Sequence, residues 1–426
     1  MHKERLHFAW LILIGLCVSV GLGKAALNNS AGLFLSPVSQ DLNVGVGSLT
    51  IYLSVSSIVT LLFLPFGGKL LSKYSARLVL FFAIVFQAGA FALFGLMNSI
   101  WGWYLLAIPL AIGGVFITVI GGPVLIERWF SKGKGLALGI LSAIGGLLGV
   151  FAQPIIGALI SQFGWRNAYF ITGLGVLIIV APIILLLIRN SPKDKNTKAY
   201  GDTSTDIDSH KQIQNIEGIS YTTAKKTPAF FLLALFFFII TAISSFTMHV
   251  PTYLVNHGQK VSIAGAMMSA LMVGVFVGSL VFGYLTDKIG AKKVGLLAMI
   301  LGLIATILLI AMPDFIVVVA VALFLFGVFT SSIGTIAPAM ASSLFGSKDY
   351  SQIYSTSSIG LALASIVALP AYGFIYDISG SYTTGLIIII LLFVVNIIAI
   401  ILAFKNKEKL VKEGYWNSKK KGDLNG

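Results

Sequence analysis

Long apolar segments recur along this chain, and they constrain its fold more than any other feature. Twelve such runs alternate with short polar segments, and most are long enough to cross a bilayer, which takes about 20 apolar residues. Charged residues make up only 10% of the chain, against about 25% in soluble domains. A surface this poor in charge cannot be kept in water. The sequence therefore predicts a protein that crosses the membrane many times.

We predict that the spans are α-helices, because a backbone exposed to lipid must satisfy its own hydrogen bonds. The short alternating segments that would indicate a β-barrel do not occur. The predicted spans lie near 8–35, 48–70, 78–98, 101–126, 135–160, 167–188, 229–255, 262–285, 293–312, 315–344, 351–376 and 382–404. They predict an N-terminal six-helix half at 1–189, a linker at 190–228, a C-terminal six-helix half at 229–404 and a basic tail at 405–426.

Lysines and arginines are distributed unevenly between the two predicted sides of the membrane. With the N-terminus inside, 26 of the 29 fall on the cytoplasmic side, Arg166 and Lys260 fall outside, and Lys24 lies within a span. Positive residues favour the cytoplasmic side. We therefore predict a cell-membrane protein with cytoplasmic N- and C-termini, and we attribute the net charge of +14 to topology, with no nucleic-acid partner. For lysines 419–421 a solvated tail and contact with anionic lipid are both considered.

The two predicted halves share a weak sequence repeat. Pro123 and Phe130 match Pro338 and Phe345 at an offset of 215 residues, and Pro154 matches Pro370 at an offset of 216. Each match is weak evidence alone, but several matches in the same order at nearly one offset are much stronger evidence of a repeat. Parallel six-span repeats are typical of a large class of transporters, whose substrate site lies near the midplane between the halves. The sequence thus predicts a twelve-helix fold of two pseudo-symmetric halves.

The loop after the second span of each half resembles the signature of the major facilitator superfamily, loosely Gly-x-Leu-x-Asp-Arg-x-Gly-Arg-Arg. The second-half copy matches at Gly283, Leu285, Asp287, Lys288, Gly290, Lys292 and Lys293. In the first-half copy Ser72 replaces the acid and Ser75 the glycine, while Lys73 and Arg77 are kept. The resemblance implies a cytoplasmic gate, held by charge contacts and helix dipoles, formed by Lys73, Arg77, Asp287, Lys288 and Lys292.

Three segments of the first half, 32–37, 128–139 and 164–169, resemble the branch of monocarboxylate transporters and oxalate:formate antiporters. The resemblance implies a small organic anion as substrate and no cofactor. It also singles out Asn29, which falls near the lysine that animal monocarboxylate carriers use in the first span. Two departures weigh against oxalate: the eighth span, 264–285, has no basic residue, and the eleventh, 351–376, has no lysine.

Lys24 is the clearest candidate for substrate binding. It lies about 16 residues into the first span, which is roughly 24 Å along a helix. Ionisable groups inside a membrane are costly, and none of the fifteen acids is predicted at mid-membrane. We predict that a substrate anion supplies the missing counter-charge, with Asn28 one helical turn later on the same face. The alternative is a lysine that extends toward water or carbonyl groups.

The seventh span carries polar residues at helical spacing. Thr241, Ser245, His249 and Tyr253 recur every four residues and are predicted on one helical face. They favour a cavity lining, and hydrogen bonding between helices is the equal alternative. For His249 both a proton carrier and a hydrated surface histidine are considered. Tyr354, at the start of the eleventh span, is a further candidate donor to a carboxylate.

Together these features predict a secondary transporter, not an enzyme, that works by rocking of its two halves as a monomer. A single cysteine and five histidines offer no metal cluster or catalytic dyad at membrane depth. The alternative is an exporter of drugs or other small molecules with the same fold; the absence of a mid-membrane acid argues against cationic drugs. Proton coupling and anion exchange both stay open.

Overall fold

The computed structural model describes residues 7–201, 218–346 and 348–416, and most of them are helical. Eleven helical segments in these ranges are long and apolar enough to cross a membrane. The longest helix, Lys134–Leu187, contains the predicted spans 135–160 and 167–188, which meet at Gly164. The backbone of Gly164 has a φ of 76°, a left-handed conformation that glycine adopts without steric cost. The eleven segments therefore account for the twelve predicted spans.

The helices are, in chain order, α1 (Phe8–Leu22), α2 (Ala31–Leu42), α3 (Val46–Lys73), α4 (Ala76–Leu93), α5 (Ile100–Gly114), α6 (Gly121–Trp129), α7 (Lys134–Leu187), α8 (Tyr221–Ala224), α9 (Pro228–Ser245), α10 (Val250–Asn256), α11 (Val261–Ile289), α12 (Ala291–Ala311), α13 (Ile316–Thr330), α14 (Ser332–Phe345), α15 (Tyr350–Ser357), α16 (Ile359–Ser379) and α17 (Thr383–Lys412). Two π-helical turns, Gly23–Asn28 and Val115–Ile120, lie within predicted spans. Among the described residues the only β-bridges are isolated ones.

The described chain forms two compact units. Unit 1 contains Met1–Thr205, Phe246–Val273 and Leu369–Tyr382. Unit 2 contains Asp206–Ser245, Gly274–Ala368 and Thr383–Gly426. Unit 1 thus joins the first predicted half to short segments from the predicted seventh, eighth and eleventh spans. The predicted boundaries of the two sequence halves, which rest on the repeat, stay a prediction.

An aromatic cluster fills the core of unit 1 near the connection between α2 and α3. Phe34 stacks on Tyr169 with ring centroids 3.8 Å apart, and Phe91 meets the same tyrosine edge-on at 4.9 Å. Phe94 stacks on Trp103 at 5.7 Å. Aromatic pairs of this kind add about 0.5–1.5 kcal/mol each beyond the area that they bury. The cluster therefore fixes α2 against α4, α5 and α7.

The core of unit 2 is built by α12, α13 and α17. Phe329 and Phe393 meet edge-on with ring centroids 4.8 Å apart. The small residue Gly302 lets the Phe393 ring approach α12 closely, and Asn396 donates to the Met299 sulfur at 3.4 Å. Buried amides in a helix bundle are stabilised by such contacts between helices.

Two helix ends differ from the predicted boundaries. The first span continues through α2 to Leu42, beyond the predicted end at 35. The last helix continues to Lys412, so residues 405–412 of the predicted tail are helical. Lys407 in this stretch donates to the Ser343 carbonyl at 2.6 Å, which ties the end of α17 to α14. Lysines 419–421 lie outside the described residues.

Candidate functional site

Lys24 lies in a widened turn of the first span. The backbone N–H of Asn29 bonds to the Lys24 carbonyl at 2.8 Å, a five-residue spacing that defines the π-helical turn Gly23–Asn28. The first span is helical as predicted, but it is not a regular α-helix at this point. Single π-turns inside α-helices are frequent at functional sites, because the extra residue redirects the side chains that follow.

The side chains of Asn28 and Asn29 reach different helices. Gln87 of α4 donates to Asn28 Oδ1 at 3.2 Å, and Asn29 donates to the Met272 sulfur of α11 at 3.6 Å. Both contacts lie within unit 1. Lys24, Asn28 and Asn29 therefore lie in one region of unit 1 together with Gln87.

Gln87 is the polar residue that the sequence reasoning missed. It is fully buried, and its Oε1 atom has no hydrogen-bond partner among the described residues. A buried, unpartnered carbonyl oxygen typically costs about 1–3 kcal/mol and offers an acceptor to a polar group that enters. Its signal in the sequence was a lone amide in the apolar third span.

The π-turns of the first and fourth spans pack together beside this amide. A Cβ atom added at Gly23 would lie 2.9 Å from Ile117 and 3.5 Å from Gln87 Oε1. Thr118, in the second π-turn, donates its hydroxyl back to the Gly114 carbonyl at 2.8 Å. A side chain at position 23 would therefore collide with the second turn. The glycine lets the two irregular turns approach closely.

The stem of Lys24 lies against α7. A Cβ atom added at Gly145 would lie 3.1 Å from Lys24 Cδ, and one at Gly149 would lie 2.9 Å from the Met272 sulfur. Glycine at these two positions therefore leaves room for the Lys24 and Met272 side chains. Among the described residues, Lys24 forms no ion pair or hydrogen bond.

The seventh span is interrupted by a change of helix type, and the polar face predicted for it stays a prediction. The helix α9 ends at Ser245, a 3-10 turn follows at Phe246–Met248, and α10 begins at Val250. The change of helix type breaks the four-residue register, and Pro251 removes a backbone donor at the start of α10.

The hydroxyl groups before this break bond locally or are buried. Ser245 donates to the Thr241 carbonyl at 2.8 Å, a bond within its own helix. The Thr241 hydroxyl is buried with no hydrogen-bond partner in the described part of the chain. Both residues belong to unit 2, whereas His249 and Tyr253 belong to unit 1. The four predicted residues therefore fall in separate units.

His249 is fully buried, so its interpretation as a hydrated surface histidine is wrong. Its Nδ1 lies 2.9 Å from the Tyr382 hydroxyl and its Nε2 lies 2.8 Å from the Leu369 carbonyl. The carbonyl can only accept, so Nε2 carries a proton and Nδ1 of a neutral ring accepts from the tyrosine. Both ring nitrogens are used in structural bonds.

Tyr354 lies in α15 and is packed among aromatic rings of unit 2. Its ring stacks on Tyr350 with centroids 5.7 Å apart and meets Phe237 edge-on at the same distance. Ser358 donates to its backbone carbonyl at 2.6 Å. These contacts hold the tyrosine ring in place, and its role as a donor to a substrate stays a prediction.

The predicted gate residues contact carbonyl groups and aromatic rings. Arg77 donates to the Ile188 carbonyl at 3.2 Å. The ammonium groups of three lysines lie over rings, at 5.6 Å for Lys73 and Tyr74, 4.6 Å for Lys288 and Tyr284, and 5.6 Å for Lys292 and Phe404. Asp287 is exposed. The gating role of these five residues stays a prediction.

The sequence reasoning also missed the contacts of Asn190 on this side of unit 1. Its Oδ1 accepts from Arg128 at 2.8 Å and from the Ala76 backbone at 3.2 Å. Arg128 also donates to the Leu71 carbonyl at 3.1 Å. The arginine and the asparagine therefore connect α6 to both ends of the loop between α3 and α4.

At the far end of unit 1, where α2 connects to α3, segments distant in sequence meet. Asp377 of α16 accepts from the backbone N–H groups of Val46 and Gly47 at 2.9 and 2.8 Å. These are unpaired donors at the start of α3, so the carboxylate caps that helix. A Cβ atom added at Gly373 would lie 2.6 Å from the Gly47 nitrogen. Small residues therefore allow backbone-to-backbone contact beside the cap.

Helices that cross the bilayer many times, with a cation and amides gathered inside one unit, define a membrane transporter of the helical class. The sequence matches the model of the Major Facilitator Superfamily over residues 12–260 and 255–421. The chain belongs to the Major Facilitator Superfamily. It is a transporter of this fold rather than an enzyme.

Curated relatives and solved structures agree with this assignment. The chain is 25% identical over 334 residues to the oxalate:formate antiporter of Oxalobacter formigenes, covering 75% of this chain and 74% of the relative. It is 23% identical over 401 residues to monocarboxylate transporter 12 of Mus musculus, covering 89% and 82%. A bacterial homolog of the human lysosomal transporter Spinster, inward-facing and unoccupied, superposes with a TM-score of 0.73 at 15% identity, covering 97% of this chain and 99% of that one. At this identity, the similarity to the Spinster homolog is a similarity of fold alone.

Proposed function

We propose that this protein is a secondary active transporter that moves a small organic anion, a monocarboxylate, across the cell membrane by alternating access of its two halves. The observation that carries the proposal is the Lys24 ammonium, which has no counter-charge among the described residues. A cation inside a membrane is costly without a partner. A carboxylate that binds there would supply one.

The surroundings of Lys24 support an anionic substrate. Asn28, Asn29 and Gln87 place side-chain amides in the same region, and an amide N–H donates to a carboxylate oxygen. Relatives named for oxalate, formate and monocarboxylates point to the same class of substrate. With one cation in the site, a single negative charge is matched better than two, which favours a monocarboxylate.

Uptake into proteoliposomes tests this function. Wild-type protein and Lys24→Ala are compared on a panel of labelled carboxylates, with Lys260→Ala as the matched control, because Lys260 is an exposed loop lysine. Loss of the cation inside the membrane should reduce uptake roughly 30-fold or more, as when one member of a charge pair is removed. The control should transport normally.

Two outcomes contradict the proposal. Undiminished anion uptake by Lys24→Ala would refute the role of the lysine. Transport of neutral or cationic compounds alone would replace the anion carrier by an exporter of other small molecules. The same vesicles separate two modes of coupling: accumulation driven by an imposed proton gradient indicates symport, and uptake that needs internal unlabelled anion indicates exchange.

We further propose that both termini are cytoplasmic, as the lysine and arginine distribution predicts. The single cysteine, Cys17, makes the test direct. In a Cys17→Ser background, Ile378→Cys and Tyr415→Cys each place one thiol at a residue that is 87% and 54% exposed, respectively. An impermeant maleimide should label the first in intact cells and the second only after permeabilisation. The reverse pattern would invert the topology.

A further inference from the structure

A groove between the start of α9 and the end of α17 collects positive charge in unit 2. It has a volume of about 530 Å³, and a neighbouring cavity of about 510 Å³ shares Pro228, Asn406 and Lys409 with it. Four lysines and two carboxylates line these spaces, namely Lys226, Lys405, Lys409, Lys412, Glu408 and Glu413. One pair among them is already formed, since Lys409 lies 3.7 Å from Glu413. The lining therefore keeps an excess of positive charge.

Three of these lysines share one face of α17. Lys405, Lys409 and Lys412 follow one another at spacings of four and three residues, which places them on one side of the helix. All three are exposed, whereas Lys407 between them donates to the Ser343 carbonyl of α14 at 2.6 Å. Like charges four residues apart on a helix repel each other. An anion bound between them would relieve that repulsion.

The groove lies where α17 leaves the apolar part of its span. The apolar run of this helix ends at Phe404, directly before Lys405. Leu232 and Leu402 form the wall toward the membrane, and Leu402 is 46% exposed. The groove is thus apolar at the end toward the membrane and cationic at the end toward water. A phospholipid has its acyl chains and its phosphate group in the same order.

The two helix ends hold the groove together and favour an anion in it. Asn406 accepts a hydrogen bond from the Ala229 backbone N–H at 3.3 Å, which joins the end of α17 to the start of α9. Because α9 begins at Pro228, a wall residue, the positive end of its helix dipole lies beside the groove. The lysines therefore surround a space between two joined helices rather than an open surface.

We propose that this groove binds the phosphate group of an anionic phospholipid, among Lys405, Lys409 and Lys412, with an acyl chain of the same lipid against Leu232 and Leu402. Basic pockets between membrane helices are suited to anionic lipid headgroups. The lipid belongs to the leaflet that the proposed topology makes the cytoplasmic one. The inference goes beyond the proposed function, because it depends neither on Lys24 nor on the transported substrate.

Fluorescence quenching by spin-labelled lipid tests the inference in the full-length protein. In a Cys17→Ser background, Ile398→Cys carries a fluorophore, since Ile398 is 50% exposed one helical turn before Leu402 and does not line the groove. Phosphatidylcholine nanodiscs contain a small fraction of lipid with a nitroxide near the top of one acyl chain. This lipid is either phosphatidylglycerol or phosphatidylcholine. Phosphatidylglycerol should associate roughly tenfold more strongly, as measured by quenching.

Paired lysine variants locate the effect. Lys405→Gln combined with Lys412→Gln removes two positive charges and keeps long polar side chains, so the preference for phosphatidylglycerol should fall to about twofold or less. The matched control combines Lys193→Gln with Lys195→Gln. These two lysines are exposed and do not line the groove. The control removes the same charge and should keep the full preference.

Four outcomes overturn the inference. Equal association of the two lipids is one, and a preference that the Lys405 and Lys412 variant retains is another. Loss of the preference in the control as well would mean that overall surface charge attracts the lipid. Release of phosphatidylglycerol by inorganic phosphate, where chloride of the same ionic strength has no effect, would assign the groove to free phosphate. Each of these failures leaves the proposed carboxylate transport intact, because uptake is measured separately.

Discussion

The first and seventh spans occupy matching positions in the sequence repeat, but their polar groups are held differently. At the repeat offset of 215 or 216, Lys24 matches Ile239 or Ile240, which are both buried and apolar. The first span widens into a π-turn at Gly23–Asn28, whereas the seventh tightens into a 3-10 turn at Phe246–Met248.

The consequences for chemistry are opposite. The wide turn presents a cation with no counter-charge in the described chain, and amides that bond to other helices. In the seventh span, Ser245 bonds within its own helix and His249 is held by two structural bonds. The two spans therefore differ where the sequence repeat would make them alike, and we propose that this difference marks the substrate site.

The largest effect is expected when a positive charge is placed in the seventh span, at the position that matches Lys24. Ile240 is completely buried, so Ile240→Lys would combine the insertion penalty of about 3 kcal/mol for a charge in the membrane with the cost of overpacking. We expect a loss of about 4 kcal/mol or more and little folded protein. Size-exclusion chromatography and thermal melting in detergent measure it.

Two controls accompany this variant. Ile240→Met keeps the volume and should cost less than about 1.5 kcal/mol. Lys24→Ile removes a charge that is costly in the membrane, so it should melt at or above the wild-type temperature although it no longer transports anions. An Ile240→Lys protein as stable as wild type would mean that the two spans tolerate charge equally, and the comparison would fail.

A smaller effect is expected at His249. Its replacement by leucine removes two hydrogen bonds and leaves the buried Tyr382 hydroxyl without its histidine partner, at a cost of about 1–3 kcal/mol for that group alone. We expect His249→Leu to lose about 3 kcal/mol of stability with an unchanged KM for the anion. Tyr382→Phe removes one of the two bonds and should lose about 1 kcal/mol. A proton-carrying histidine would instead show altered pH dependence of uptake in Tyr382→Phe, with normal stability.

The smallest effect is expected at Ser245. Its hydroxyl bonds to a carbonyl that α9 already pairs internally, so Ser245→Ala should change stability by less than about 0.5 kcal/mol. Uptake should keep its KM and kcat. A rise in KM would show that this hydroxyl contacts the substrate, and the seventh span would then contribute to the site after all.

The sequence predicts the fold well because long apolar runs leave few alternatives. Eleven described helical segments account for the twelve predicted spans, and the superfamily is confirmed. The longest departures, α2 to Leu42 and α17 to Lys412, occur at helix ends. There hydropathy stops being informative, because a helix can continue into water past the apolar segment.

The site is harder to predict, since it depends on irregular backbone. Helical spacing located Lys24 and the adjacent asparagines, but it assumed a regular turn and could not assign Asn28 to Gln87 or Asn29 to Met272. The same assumption did not foresee the 3-10 turn that precedes His249. A burial of 0% for that histidine depends on residues such as Tyr382 that lie far away in sequence, and no local pattern contains that information.

The carboxylate cap at the far end of unit 1 has a mechanical consequence. Asp377 is exposed, so water molecules can take over its two bonds to the N–H groups of Val46 and Gly47 as soon as the helices separate. The exchange of one hydrogen-bonded partner for another changes the free energy little. In the alternating-access cycle that we propose, the contact between Asp377 and the start of α3 can therefore break and re-form many times with little change in free energy, because water replaces the carboxylate.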